Sequence, residues 1–494
     1  MTVYETAKHL SIPLPDLVDQ IRAYAVASYI DSEVVTLCSR HTVYAPKIKP
    51  AYKRHAKILA ALGEQWMHNY NFHLENRLRG TLHFKEFIRL FPEYRKQEGL
   101  REYLINDYDL SILPIHLSRG MEQAARYFLP VLGYQAKQDP YAIKTKRAAI
   151  TAGAGDKKFY VATRKQKYGT YLLTLTVPWS QDPTKGTFLC PVGCRACYRG
   201  YETRNRKNIA ITDTGEELAS TKIKQQTEAL VKQWAPEVYD VLVSGGEPLL
   251  FSNRIWKEDI IDVLKNCPHL QSFRICTGAL GLGLFSRFDD EFIEMLVELR
   301  NQHGIQIAIN AHIAHPEQFT PEMVYTALRL KKHNIRIMPQ VPLVEGVNFF
   351  NYDLPKTVEL LRRIARLSTL LINEPIYKFI VDMQGSVSLL QAIRVCRSLF
   401  DRHQRESNIV RPVSFELFTD SPVGNLNLSY HTLFAMTMEV DRKAHTVLYT
   451  IKHPAGGEVI WQERILKRIN DRAGFLKKAI TEIPVEANGG QTAP

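Results

Sequence analysis

A chain of 494 residues, 45% hydrophobic and 23% charged, has the composition of an ordinary globular protein with room for two or three domains. It has no run of about 18 apolar residues, which excludes a conventional membrane-spanning helix and leaves no membrane partner expected. The opening Met1–Leu10 stretch carries an acid and a histidine without an apolar core. No secretory signal is therefore expected, and reduced cysteines in a cytoplasmic setting are. A formal net charge of +13 fits nucleic acid, an anionic surface, an anionic substrate or simply a solvated basic exterior.

Residues 1–156 read as a mostly helical N-terminal region. Apolar residues recur at three- and four-residue spacing over Thr6–Leu10, Asp16–Ala25 and Tyr52–Tyr70, and Pro13 and Pro15 separate the first two. Further helical patterns cover Phe84–Phe91 and Gly120–Leu132. Cys38, His41, His73 and His83 are scattered without ligand-like spacing and read as structural. The densest basic patch, Lys144 to Arg147 continuing through Lys157–Lys158 and Arg164–Lys167, marks an exposed connector. No interleaved aromatic pattern accompanies it, so nucleic acid is a partner without motif support.

From residue 157 to about 400 strand and helix signals alternate. Tyr171–Val177 predicts a strand, and Thr214–Trp234 a helix with Thr214 and Glu217 at capping-box spacing. Val238–Val243, Ser272–Cys276, Ile305–Ala311, Ile335–Leu343 and Tyr377–Val381 predict further strands. Between them fall helices over Trp256–Leu264, from the Asp289 cap to Arg300, from Thr320-Pro321 onward, and over Pro355–Leu367. Such a series predicts an α/β domain of parallel strands and covering helices, a barrel or an incomplete one, whose strand C-terminal ends carry the chemistry. Residues 401–494 read as an α+β extension. It holds a strand at Val413–Phe418, a β-rich stretch at Leu433–Tyr449, a basic amphipathic helix at Trp461–Ile480 and a disordered tail, Ala487–Pro494.

Three of the seven cysteines fall within Cys190-Pro-Val-Gly-Cys194-Arg-Ala-Cys197. A tight C-x-x-x-C-x-x-C loop can bring three thiolates to a [4Fe–4S] cubane and leave its fourth iron open to a small molecule. Zinc would want four closed ligands, and no fourth Cys or His follows at finger-like spacing; zinc and plain buried thiols stay as the alternatives. An odd cysteine count in so long a chain fits a disulfide framework poorly. At the end of the next predicted strand, Ser244-Gly245-Gly246-Glu247-Pro248 lets backbone approach a ligand closely, and Glu247 can accept from an ammonium group. Alone that turn is common; following the cysteine loop, it points to an amino acid chelated at the open iron. Cys276-Thr277, His312 and Gln340 fall at later strand ends.

In this order and spacing the motifs resemble those of the radical S-adenosylmethionine (SAM) superfamily, and within it the lysine 2,3-aminomutase family. The likeness runs over roughly Tyr168 to Asp420. It comprises the cysteine loop with Tyr198-Arg199, Val243-Ser-Gly-Gly-Glu-Pro-Leu249, Arg274-Ile-Cys-Thr277, Asn310-Ala-His312-Ile-Ala-His315-Pro316, and Gln340 leading into Gly346-Val-Asn348. The resemblance implies a partial (β/α)6 TIM-like barrel of the radical SAM type. It implies reductive cleavage of SAM at a [4Fe–4S] cluster held by Cys190, Cys194 and Cys197, fed by an electron donor such as flavodoxin or ferredoxin. The resulting 5′-deoxyadenosyl radical would take hydrogen from a small amino-acid-like substrate. By the same resemblance, Ser244, Gly245, Gly246, Glu247, Thr277, His312 and Gln340 lie around SAM. Arg199 would grip the substrate carboxylate, and Asp382 and Asp420 its distal amine.

The chain also departs from that family. Aminomutases of this type bind pyridoxal phosphate on a lysine seven residues after the second aspartate, where this chain has Asn427, and an amide cannot form a Schiff base. Tyr171 stands where a phosphate-binding arginine is expected, and Cys396 is the last cysteine, so the family's C-terminal zinc cysteines have no counterpart. The expectation is SAM cleavage without pyridoxal-dependent amino migration. The alternatives are a working aminomutase using another lysine, a radical SAM enzyme that modifies RNA or protein, and a non-catalytic iron–sulfur or zinc protein.

Overall fold

The structure is a computed structural model. Its described residues are 77–79, 83–96, 99–106, 110–117, 123–129, short segments between 151 and 195, 213–372 apart from 352, and 376–464 with gaps. The helices expected at 6–10, 16–25 and 52–70, Cys38, His41, His73 and the basic stretch 144–147 lie outside them.

Among the described residues the main sheet has nine strands. In chain order they are β1 (Ala162–Lys165), β2 (Thr170–Thr174), β3 (Asp240–Ser244), β4 (Ser272–Thr277), β5 (Gln306–His312), β6 (Arg336–Leu343), β7 (Ile376–Val381), β8 (Ser414–Ser421) and β9 (Gly424–Asn427). Each pairs with its sequence neighbour, so spatial order follows chain order. β2 to β8 are all parallel. Of these nine, β1 and β9, at the two ends of the described order, run antiparallel. The fold is thus mixed α/β built on a parallel sheet, and that sheet runs past residue 400 into β8.

Helices connect the parallel strands, as parallel pairing requires. They are α1 (Asp213–Trp234), α2 (Asp290–His303), α3 (Pro321–Lys332), α4 (Leu354–Ile372) and α5 (Leu389–Glu406). The expected caps of two are in place: Asp289 accepts from Phe292 N at 2.8 Å and Thr320 from Met323 N at 3.3 Å. Gly304 closes α2 at φ +66°, a left-handed residue that suits glycine. Helix α1 starts at Asp213, so Thr214 lies inside its first turn rather than capping it. After β3 the connection is a π-helical turn, Ile255–Ile261, ending in Asp262–Leu264. Where Gly120–Leu132 predicts a helix, the described part is a short 3-10 helix, Ala124–Phe128.

Alternating burial along β4 sends Phe273, Ile275 and Thr277 toward the helices. There Trp256 packs edge-on against Phe273 and Phe292, with ring centroids 6.4 and 5.5 Å apart, and all three rings are fully buried. Each such pair contributes about 0.5–1.5 kcal/mol beyond area burial. The other face of the strands carries Arg274 and Cys276 on β4, Asn310 and His312 on β5, and Met338 and Gln340 on β6, matched by register. Strands Met436–Asp441, Thr446–Lys452 and Glu458–Arg464 form a separate antiparallel sheet. The helix expected at 461–480 is corrected at its start: Trp461 to Arg464 are strand, with Trp461 opposite Tyr449. No helix among the described residues is long and apolar enough to cross a membrane.

Candidate active site

Parallel strands leave their chemistry at the C-terminal ends, and the turns there are laced together by buried polar side chains. Strand β3 ends at Ser244, and Gly245 follows at φ +148°, a conformation that an L side chain rarely adopts. Glu247 is 2% exposed. Its Oε1 accepts from Thr277 Oγ1 at 2.5 Å and Leu249 N at 3.1 Å, and its Oε2 accepts from Gly278 N at 2.8 Å. Both carboxylate oxygens are thus engaged in tying the turn after β3 to the turn after β4. Burial pushes this carboxyl up to about 7, against the pull of those donors.

Gln318 repeats the device one strand further on. Its Oε1 accepts from Ala314 N at 2.6 Å and His315 N at 2.9 Å, and its Nε2 donates to Gly281 O at 2.7 Å. Asn348, fully buried, joins the turns after β5 and β6: Oδ1 accepts from Val344 N, and Nδ2 donates to Ala314 O and Pro342 O, all at 2.7–2.8 Å. Gly281 comes so close to the end of β5 that a Cβ there would sit 2.5 Å from His312 O.

His312, exposed, meets Gln340 through Nε2 and Oε1 at 3.0 Å, side by side in register. One row deeper, Asn310 donates through Nδ2 to Cys276 Sγ at 3.6 Å. Asn310 is 2% exposed, and its Oδ1 has no hydrogen-bond partner among the described residues. His315 is buried, which pulls its imidazole down to about 4. It is therefore neutral near pH 7, and its Nδ1 accepts from Glu317 N at 3.3 Å instead of forming an ion pair.

Of the three loop cysteines, Cys190 and Cys194 are described, and both are partly exposed. Burial pushes the thiols of Cys267 and Cys396 up to about 11 and about 12, which leaves them inert. Partly exposed thiols are the ones suited to thiolate ligation, and the donor set at Cys190 and Cys194 fits an iron–sulfur cluster. Cys197, Arg199 and Asp382 lie outside the described residues. Among the described residues no three metal-ligating side chains come together. Asp420 lies in β8 opposite Asn425 of β9, and Asn427 lies opposite Phe418.

Loop backbone ties the cysteines to the N-terminal region. Gly193 N donates to Ser111 O at 3.2 Å, and Arg195 N to Tyr127 O at 2.9 Å. From that same region His116 Nε2 lies 3.2 Å from Gly281 O, and Glu317 Oε2 accepts from Gln123 N and Ala124 N at 2.9 and 2.8 Å. The cysteine loop, the Gly-Gly-Glu turn and the His312–Gln340 pair therefore share one end of the sheet. Sequence reasoning gave no role to Gln318, Asn348, Ser111 or Tyr127. Only Asn348 stood inside a quoted motif, and backbone bonds such as those at Ser111 and Tyr127 carry no residue signature.

No family model matches the chain. Relatives do. Over 330 residues, 66% of this chain, it is 26% identical to a protein of Aquifex aeolicus provisionally named L-lysine 2,3-aminomutase, spanning 78% of that protein. It is 26% identical over 312 residues to the glutamate 2,3-aminomutase of Clostridioides difficile, covering 60% of this chain and 63% of the relative. Over 166 residues it is 28% identical to the L-lysine 2,3-aminomutase of Buchnera aphidicola, 32% of this chain and 42% of the relative. The chain is thus similar to lysine and glutamate 2,3-aminomutases, as its motifs indicate.

Proposed function

We propose that this chain is a radical SAM enzyme of the lysine 2,3-aminomutase type, acting on a small amino-acid-like substrate without pyridoxal phosphate. When bound, a [4Fe–4S] cluster carrying SAM supplies a 5′-deoxyadenosyl radical by reductive cleavage, the electron coming from a donor of the flavodoxin or ferredoxin class. Cys190, Cys194 and Cys197 hold the cluster. Backbone at Gly245 and Gly246 receives the methionyl amine of SAM, and Glu247 and Thr277 keep that turn in shape from behind. His312 and Gln340 orient the ligand from the next strands, and Ser244 lines the same turn.

In this reading the parallel sheet curves into the partial (β/α)6 barrel of the radical SAM type, and its C-terminal mouth excludes water around the bound ligands. Arg199 grips the substrate carboxylate with two parallel hydrogen bonds, and Asp382 and Asp420 hold a distal ammonium. Asn427 in place of a lysine removes the Schiff-base anchor for pyridoxal phosphate. A reducing, cytoplasmic setting fits an open cluster with solvent-reachable thiols.

The observation that carries this reading is the set of contacts that gathers these turns: the cysteine loop bonds to Ser111 O and Tyr127 O, nearby His116 meets Gly281 O, and Gly278, at the start of the same short helical turn, donates to Glu247. Anaerobic reconstitution with SAM, dithionite and single candidate amino acids tests it, with mass spectrometry for 5′-deoxyadenosine. Stimulation by one amino acid is expected; absence of 5′-deoxyadenosine under every condition contradicts the proposal.

A further inference from the structure

We infer that residues 110–117 and 123–129 position the cysteine loop, and that Glu317 is the positioning residue that fastens the second of these stretches over the strand ends. The inference rests on reading Cys190 and Cys194 as cluster ligands. It assigns a task to a region that precedes the α/β unit and carries no chemical motif.

Three kinds of contact converge on this region. Downward, its carbonyls hold the loop on both sides of Cys194: Ser111 O accepts from Gly193 N, and Tyr127 O from Arg195 N. These are backbone bonds, so they fix the path of the loop whatever its side chains do. Sideways, His116, 1% exposed, reaches Gly281 O at 3.2 Å and packs its ring 4.4 Å from that of Phe128. Ile115 lies where Gly283, at φ +79°, leaves space: a Cβ on that glycine would fall 2.5 Å from Ile115 Cδ1. The third contact is made by a charge. Glu317 Oε2 accepts from Gln123 N at 2.9 Å and Ala124 N at 2.8 Å. Those N–H groups open the 3-10 helix Ala124–Phe128, where a helix has donors with no partner of its own.

That helix then brings Tyr127 O to the loop within four residues of the carboxylate's grip. Charge-assisted hydrogen bonds donated by two successive N–H groups to one carboxylate oxygen are stronger than neutral ones and set the direction of the helix. Glu317 itself sits in the turn after β5, beside His315, whose Nδ1 accepts from Glu317 N. The path is therefore β5 turn, Glu317, 3-10 helix, Tyr127 O, cysteine loop. Groups that orient metal ligands from outside commonly govern how tightly the metal is held, and here Tyr127 O, set by Glu317, is such a group.

The test uses full-length protein reconstituted anaerobically, as wild type, Glu317→Ala and Glu317→Gln. Iron transfer to a ferrous chelator is timed, the reduced cluster's EPR spectrum is recorded with and without SAM, and the melting temperature is measured alongside. Glu317→Ala is expected to release iron about tenfold faster than wild type and to alter the EPR line shape. Glu317→Gln, whose amide oxygen still accepts but carries no charge, should fall between. A lower melting temperature with wild-type iron release and an unchanged spectrum in both variants would overturn the inference. If Glu317→Ala does not fold, Glu317→Gln alone decides by the same two readouts. Wild-type protein that takes up no cubane refutes the cluster assignment itself, which is a different result.

Discussion

Thr277 donates its hydroxyl to Glu247 Oε1 at 2.5 Å, so a carboxylate buried after one parallel strand is closed by the last residue of the next. The pair shows how this end of the sheet is built: charge is brought inside and each oxygen is given a donor. Removing the donor leaves the carboxylate less satisfied. Thr277→Val is expected to destabilise the fold by about 1.5–3 kcal/mol at pH 8, the range for a hydrogen bond to a charged group. Chemical denaturation at pH 8 checks it; a change below about 0.5 kcal/mol would mean that the bond contributes little.

The same carboxyl predicts a pH dependence. Its folded value is raised to about 7 from an ordinary 4.5, so the folded protein binds this proton more tightly than the unfolded chain does. Stability from this group is therefore full below about pH 4.5 and declines as pH rises toward 7, by roughly 3 kcal/mol in total. Glu247→Gln should flatten that part of the profile. Unfolding curves across this window, wild type against variant, give the comparison, and parallel profiles would show that Glu247 does not titrate there.

At Gly281 the constraint is steric. A Cβ would sit 2.5 Å from His312 O, a backbone atom that cannot swing aside. Gly281→Ala is expected to shift the end of β5, costing about 1–3 kcal/mol. In the proposed site the same shift displaces His312 from Gln340, so SAM affinity measured by calorimetry should fall with it. Full retention of both stability and affinity would show that the neighbouring turn gives way freely.

Asn348 satisfies one buried N–H and two buried carbonyls between the turns after β5 and β6. Asn348→Leu strands all of them and should destabilise by about 3 kcal/mol or more, whereas Asn348→Asp keeps only the acceptor. Equilibrium denaturation ranks the two; a Leu variant as stable as wild type contradicts the role.

Much of this architecture was legible in the residues. Strands β4 and β6 are found where β-branched and aromatic runs predict them, and Asp289 and Thr320 cap helices as their position before an apolar pattern suggests. Such signals are local, so sequence carries them. The expected helix over Gly120–Leu132 is in its described part a 3-10 turn, and the group that meets its first N–H donors is Glu317, far along the chain, which no local pattern announces. Trp461 reads as helical by amphipathic spacing but lies opposite Tyr449 in a sheet, where backbone pairing with a neighbouring strand outweighs the periodicity. Gln318 and Asn348 stayed silent for a similar reason: an amide that joins two turns looks, in sequence, like any other loop residue.

The proposed chemistry separates from a working aminomutase at Asn427. Pyridoxal phosphate added to the reconstituted protein is expected to give no saturable aldimine absorbance and no borohydride-trapped adduct. A band that titrates to one equivalent and maps to a lysine would restore pyridoxal chemistry to this chain.

Everything proposed for the site depends on the Cys190–Cys194–Cys197 loop holding a cubane with one iron open. Mössbauer and iron–sulfide analysis of anaerobically reconstituted wild type, beside single Cys→Ser variants at these positions, tests that most directly. The account predicts about four irons and four sulfides per chain in wild type, one iron site altered by SAM, and loss of the intact cluster in each variant. A wild type without a cubane, or a serine variant that keeps it intact, would contradict it.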